Sequence, residues 1–288
     1  PAESTEGLTK SFQWGASQVS QQHDIQELCR VLFDAIEQSA EDHHFINSLF
    51  EGKTQSVVKC LECDYESINE EKFLDLSLPI RNEFDNIYNT SLEMALLNMV
   101  KEESLEKDNQ YFCCKCQKKV NAAKFTRFTQ TPEILFIQLN RFDFDFITNY
   151  KKKIHDRVTF PDHLNMGSFM SYGYKELVKH YTDENLKKLA LMNSFSSPIQ
   201  EELVDGKILY ELYGVVIQAG NAQSGHYYAY INSFEDGKWY KFDDHHVYFA
   251  HEEELQMSFG GSDNSFSSST AYCLMYKKVD ADKSNIEK

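Results

Sequence analysis

"SGHYYAYINSFEDGKWYKFDD", running from Ser224 to Asp244, is the stretch on which the reading of this chain turns. A histidine follows a glycine, and a pair of aspartates arrives seventeen residues later. Between them lie two strand-like runs, Tyr227 to Asn232 and Lys238 to Phe242, split by Glu235-Asp236-Gly237. Asp and Gly at such a break favour a tight turn between strands. A hairpin here folds Asp243 back beside His226. An imidazole oriented by a carboxylate is base plus orienter, two parts of a nucleophilic triad. The bland alternative is an ordinary strand histidine. The flexible "GNAQSG" before His226 and the aspartate opposite it favour a functional one. Tyr227, Tyr228 and Tyr230 taken alone read as alternating strand residues.

The surrounding chain has 288 residues, enough for one large domain or two ordinary ones. Apolar residues are 41% and aromatics 14%, a globular composition. No apolar run approaches the roughly 20 residues of a membrane helix. A formal net charge of −16 argues against nucleic acid as a main partner, since phosphate neutralisation needs clustered Lys and Arg. An acidic surface suits solubility or a basic partner.

Outward from the hairpin, Ile25, Leu28, Leu32 and Ile36 fall at helical spacing and predict a helix over Gln21 to Gln38, with Ser20 as N-cap. Ser91 to Met99 and Asp183 to Met192 read as further helices, and His251 to Leu255 as a short acidic one. "PEILFIQLNRFDFD" (Pro132 to Asp145) contains the most strand-like run and predicts a strand buried on both faces. Strands are expected at Leu209 to Gln218 and Ala271 to Lys277. "NSFSSP" and "GGSDNSFSSST" read as loops. There is no internal repeat.

Seven cysteines include two Cys-x-x-Cys pairs, Cys60 with Cys63 and Cys113 with Cys116. An odd count without a visible secretory signal predicts reduced thiols and an intracellular compartment, cytoplasm or nucleus. Each pair supplies two soft sulfurs from one tight turn, and two pairs complete a tetrahedral zinc site. With 49 residues between Cys63 and Cys113, the metal would clip together two distant hairpins. Cys114 leaves an ambiguity, because Cys114 with Cys116 is another pairing. Four protein ligands leave no open position, so one structural zinc is expected. Four ordinary thiols are the alternative.

"GHYYAYI", "KWYKFDD" and "TAYCLMY" resemble the histidine box and C-terminal strand of the ubiquitin-specific proteases. "QQHDIQELCRVLFDAIE" resembles that family's second box, "CLECDY" and "YFCCKC" its zinc-binding fingers, and "PEILFIQLNRFDFD" the strand leading to its palm. The matches span nearly the whole chain in the family's order.

The resemblance implies an α+β papain-like fold of fingers, palm and thumb. Thumb sequence would occupy about 1–50, zinc-bearing fingers about 51–130 and palm about 131–280. It implies a thiol protease hydrolysing (iso)peptide bonds at the C-terminal glycine of ubiquitin. His226 would be the general base, Asp243 its orienter and Asp244 a supporting polar contact. Asp24, helped by Glu27, would hold the ubiquitin tail's arginines. Phe142 and Tyr227 would wall the tail's channel, with Asp143 to Lys153 and Ala219 to Gly225 as covering loops. One departure is marked: the family's Asn…Cys nucleophile box has no match here. The chain opens at "PAESTEGLTKSFQW", similar to sequence just before the second box. The nucleophile is therefore expected from sequence upstream of Pro1, and this chain alone is expected to be inactive. The alternative is a catalytically inactive ubiquitin-binding scaffold, against which the retained His226 and Asp243 argue.

Overall fold

The apolar spacing after Gln21 gives α1 (Ile25–Ser39). It begins later than the spacing alone predicts. Asp24, extended at φ −69° and ψ 135°, caps it by accepting the Gln26 amide at 2.8 Å. An Asp cap satisfies one of the four orphan amides of a helix start. Ser20, the cap expected from sequence, lies outside the residues that the computed structural model describes: Gly7, 24–40, 42, 44–82, 87–145, 149–171, 174–191, 208–261 and 268–279. The "NSFSSP" loop and most of the loop after Gly260 also lie outside them. A short helix, α2 (Phe45–Phe50), follows, and Phe50 packs on Phe33 with ring centroids 4.5 Å apart.

Next come β1 (Gly52–Cys60), β2 (Glu66–Phe73), β3 (Leu76–Pro79) and the short β4 (Arg81–Asn82) and β5 (Ile87–Tyr88). Helix α3 (Leu92–Met99) is capped by Ser91, whose hydroxyl accepts the Met94 amide at 3.1 Å. Then follow β6 (Glu103–Leu105), β7 (Tyr111–Cys113), β8 (Lys118–Val120), β9 (Ala122–Gln130), β10 (Ile134–Asn140), β11 (Phe142–Asp145), β12 (Tyr150–Lys153) and β13 (His163–Asn165). Among the described residues α4 (Gly167–Ser171), α5 (Tyr174–His180) and α6 (Asp183–Leu191) come before β14 (Leu209–Gly220). The chain continues through β15 (Gly225–Asn232), β16 (Trp239–Asp243), β17 (His246–Phe249), α7 (Glu252–Met257) and β18 (Thr270–Lys278).

Two larger sheets take twelve of these strands, and β4 with β5, β7 with β8 and β11 with β12 form two-stranded pairs. The smaller has the order β2-β1-β9-β6. The larger has the order β17-β16-β15-β14-β18-β10-β3, with β13 pairing to β14 as its eighth strand. Strand β10 is covered on both faces, as its apolar run predicts. Leu135, Ile137 and Leu139 enter the main core, while Phe136 joins Tyr272 and Cys273 in a second cluster against Ile25 and Cys29 of α1. Strand β3 follows β2 of the smaller sheet but pairs in parallel with β10 of the larger one. The alternation of Leu76, Leu78 and Ile80 buries that segment with α3 in the main core. Among the described residues no helix is long and apolar enough to cross a membrane.

Arg141 fixes the join between β10 and β11. Its guanidinium is fully buried and donates to the carbonyls of Ala271 (2.6 Å), Asp156 (2.9 Å) and Ile154 (3.1 Å). A buried charge is tolerable only when its donors are satisfied in this way.

Candidate active site and metal centre

Strands β14 and β15 form a hairpin in which Gly220 pairs with Gly225 and Ala219 with His226. Gly220 lies at φ +101°, where a side chain is disfavoured. A Cβ at Gly225 would collide with the Gln218 amide and the Ala219 carbonyl. Two glycines thus allow the tight crossing that delivers His226 to the strand start. The β15–β16 pairing then sets Asp243 on the same face, and His226 Nε2 lies 2.7 Å from Asp243 Oδ1.

Asp243 is held below the usual carboxylate range, first by the Lys241 ammonium and then by His226. An ionised carboxylate only accepts, so Nε2 is the donor of this contact. Lys241 Nζ stands 2.8 Å from the other oxygen, Oδ2. Asp244 sits at φ +52° in the two-residue turn before β17, and its carboxylate lies within 4.8 Å of the His226 ring nitrogen and the Asp243 carboxylate.

A second feature lies at the start of α1. Asp24, Phe142, Gln218, Asn221 and Tyr227 line a cavity of about 120 Å³. Phe142 and Tyr227 both pack on Tyr272, with centroids 5.4 Å and 5.8 Å away. The Tyr272 hydroxyl donates to Asp24 Oδ2 at 2.5 Å and accepts from the Gln138 amide at 2.7 Å. Burial and the Asp24 hydrogen bond both push the Tyr272 phenol up, so it stays a donor. Lys153 ties the cavity's walls together by donating to the carbonyls of Gln218 (2.6 Å), Gly220 (3.4 Å) and Ser268 (2.5 Å). Glu27, in the first turn of α1, is exposed and is not among the residues lining this cavity.

The third feature is the cysteine cluster. Cys60 and Cys63 sit at the β1–β2 turn, Cys113 and Cys116 at the β7–β8 turn. Their four sulfurs lie within 4.8 Å of one another, with Cys60–Cys116 at 3.9 Å and Cys63–Cys113 at 3.7 Å. Four sulfurs about 2.3 Å from a central zinc stand about 3.8 Å apart, so the donor set fits that ion. Both turns share one backbone device. Asp64 and Gln117, each following a pair, lie at φ 55°. Their amides donate to the Cys60 carbonyl (3.1 Å) and the Cys113 carbonyl (2.8 Å). Amides of Glu62 and Cys116 point at the sulfurs of Cys60 and Cys113, each at 3.4 Å. Burial works against charge on Cys113, yet amides of Cys116 and Lys115 and the thiols of Cys63 and Cys60 bring it down to about 7. Hydrogen bonding to Cys63, then burial, drives Cys116 up to about 12. Four crowded thiols therefore resist holding several negative charges by themselves, and a divalent cation resolves that conflict. Cys114 is exposed and outside the cluster, which settles the pairing in favour of Cys113.

Of the remaining cysteines, Cys29 is pushed up to about 11 by burial and by the charges of Asp75 and Asp24. Burial likewise raises Cys273 well above its ordinary value. Neither environment activates a thiol.

A histidine and aspartate aligned on adjacent strands, with a four-sulfur cluster fit for zinc at the turns of other strands, define the site. The ubiquitin carboxyl-terminal hydrolase family matches residues 2–276, and this chain belongs to it. Ubiquitin carboxyl-terminal hydrolase 47 of Drosophila melanogaster is 38% identical over 328 residues, covering 98% of this chain and 21% of that protein. The Homo sapiens protein of the same name is 37% identical over 313 residues, covering 96% and 23%. The chain thus spans about a fifth to a quarter of the length of these curated relatives. Among solved structures, the SAGA DUB module of Ubp8, Sgf11, Sus1 and Sgf73 bound to monoubiquitin aligns with a TM-score of 0.69 at 25% identity, over 95% of this chain and 52% of that one. The fold is that of the ubiquitin-specific proteases.

Sequence reasoning named His226, Asp243, Asp244, Asp24, Phe142 and Tyr227, and the structure gathers them at two adjoining places. It missed Lys241, Tyr272 and Lys153. Lys241 had a signal: it stands two positions before Asp243, and residues at that spacing share one face of a strand.

Proposed function

We propose that this chain is the greater part of the catalytic domain of a deubiquitinating thiol protease that cuts the bond after the C-terminal glycine of ubiquitin. The contact between His226 Nε2 and Asp243 Oδ1 carries this reading. With Nε2–H engaged, Nδ1 is the nitrogen free to take a thiol proton. The thiolate attacks the scissile carbonyl and forms an S–C bond. The imidazolium returns its proton to the leaving amine as the C–N bond breaks. Water, deprotonated by the same ring, then hydrolyses the thioester and releases ubiquitin. The cavity at Asp24, Phe142 and Tyr227 receives the ubiquitin tail, with the Asp24 carboxylate for a basic side chain.

The thiol itself we place outside these 288 residues. Four cysteines are committed to the metal cluster, Cys29 and Cys273 hold their protons, and Cys114 is exposed within the finger turn. The chain alone should not react with a ubiquitin probe bearing a C-terminal electrophile. The full-length protein should react, and His226→Ala should abolish turnover. Labelling of a cysteine in the isolated chain would overturn the placement of the thiol. Full activity of the His226→Ala protein would overturn the mechanism.

The same cysteine inventory favours one other reading, a ubiquitin-binding scaffold without turnover. That reading predicts ubiquitin affinity with no hydrolysis by the full-length protein.

A further inference from the structure

The Asp243 carboxylate is shared. Oδ1 faces His226 Nε2 at 2.7 Å and Oδ2 faces Lys241 Nζ at 2.8 Å. Lys241 is three-quarters buried, and its ammonium also lies over the Tyr228 ring, 4.2 Å from the centroid. Tyr228 in turn sits beside His226, with ring centroids 6.3 Å apart. Lys241, Asp243, Tyr228 and His226 therefore form a closed circuit on one face of β15 and β16. The register makes it so: Tyr230 pairs with Lys241, and Tyr228 and Asp243 each lie two positions along on the same face. From the neighbouring elements, His246 and Tyr248 of β17 and Glu254 of α7 are the ionisable groups on this side, with Asp244 in the turn.

An exposed ion pair is worth little, but this one is neither fully exposed nor remote from the candidate chemistry. A carboxylate held only by an imidazole can rotate about its last side-chain bond and present either oxygen. Fixing Oδ2 removes that freedom and leaves Oδ1 aimed at the ring. The ammonium also offsets part of the carboxylate's charge.

We propose that Lys241 is a positioning residue of the His226–Asp243 pair, clamping the carboxylate between its ammonium and the Tyr228 ring so that one oxygen alone orients the imidazole. This rests on the proposed hydrolase reading for its activity test, but not for its structural test.

Three variants decide it: Lys241→Met, which keeps the stem and loses the charge, Lys241→Arg, which keeps both, and Asp243→Asn as a reference. The first measurement uses this chain and reads the His226 tautomer from its two ring-nitrogen shifts by NMR. The wild type and Lys241→Arg should show the Nε2–H tautomer, whereas Lys241→Met should show a mixture resembling Asp243→Asn. The second uses the full-length protein on a fluorogenic ubiquitin substrate. Lys241→Met should lower kcat roughly tenfold, the lower end of what orienting partners contribute, with KM unchanged, and Lys241→Arg should recover most of it. A Lys241→Met chain with the wild-type tautomer ratio overturns the clamp, as does a loss seen in KM rather than kcat. If no variant hydrolyses ubiquitin substrates while the tautomer responds as expected, the hydrolase reading fails and the clamp stands.

Discussion

The carboxylate of Asp24 joins two elements that lie 248 positions apart: one oxygen caps α1 through the Gln26 amide, and the other accepts the Tyr272 hydroxyl at 2.5 Å. Helix start and central sheet are thereby locked together at the rim of the cavity. The sequence reading gave Asp24 a recognition role and Ser20 the cap. The geometry assigns it a cap and a sheet contact as well.

Asp24→Ala should therefore destabilise the chain by about 1 kcal/mol or somewhat more, the usual loss of an N-cap. Asp24→Asn retains a good cap and should cost far less. If the charge receives a basic ubiquitin side chain, both variants of the full-length protein should bind ubiquitin more weakly by roughly 1.5–3 kcal/mol. Calorimetry separates the two roles. An Asn variant with unchanged affinity removes the Asp24 charge from recognition.

The metal prediction is one zinc per chain. Elemental analysis of protein prepared without chelator should find it. Cys60→Ser and Cys116→Ser should lose it, while Cys114→Ser should keep it, because Cys114 lies outside the cluster. Chelation should open the region from β1 to β9 to protease first, leaving the large sheet resistant. Cuts distributed evenly over the chain would count against a local clip.

Thiol reactivity follows from the raised Cys29 value of about 11. At pH 7.5, alkylation should reach Cys114 first, with Cys29 slower by orders of magnitude, since the thiolate is the nucleophile. Its rate should climb about tenfold per pH unit towards pH 11. The unfolded thiol ionises near its ordinary value of 9.0. The fold therefore keeps a proton that the unfolded chain gives up, and stability is lost as pH rises from about 9 to about 11. Peptide mapping by mass spectrometry after timed alkylation gives the rates directly.

Asp243 titrates in the opposite sense. Its folded value lies below the ordinary 3.8, chiefly through Lys241 and next through His226. The stabilisation is present above that ordinary value and disappears as pH falls through the folded one. Wild type and Asp243→Asn should therefore differ in thermal midpoint at neutral pH and converge once the pH has fallen through the lowered folded value. A difference that persists in acid would mean Asp243 contributes through packing rather than charge.

Much of this was legible because it is local. The spacing of Ile25, Leu28, Leu32 and Ile36 carries a helix, and an apolar run without polar relief carries a strand covered on both faces. The turn Glu235-Asp236-Gly237 sets the hairpin that brings His226 to Asp243. The start of α1 was misplaced because several polar residues before Ile25 compete as caps, and only backbone geometry selects Asp24. The Tyr272 partner and the three carbonyls around Lys153 were not legible. They depend on how β14, β18 and β12 register against one another, which no short window contains. The parallel pairing of β3 with β10 was not legible for the same reason.

The twin cysteine turns have a consequence for the order of events during synthesis. Cys63 and Cys113 stand 50 positions apart. At 5–20 residues per second the ribosome needs roughly 2–10 s to pass from one turn to the other. The first turn is built by local contacts and can form at once, but alone it offers two sulfurs where the ion wants four. The four-sulfur donor set is thus complete only late in synthesis, once both turns have been made. Pulse labelling of thiols on nascent chains would register it as a delayed, concerted protection of all four.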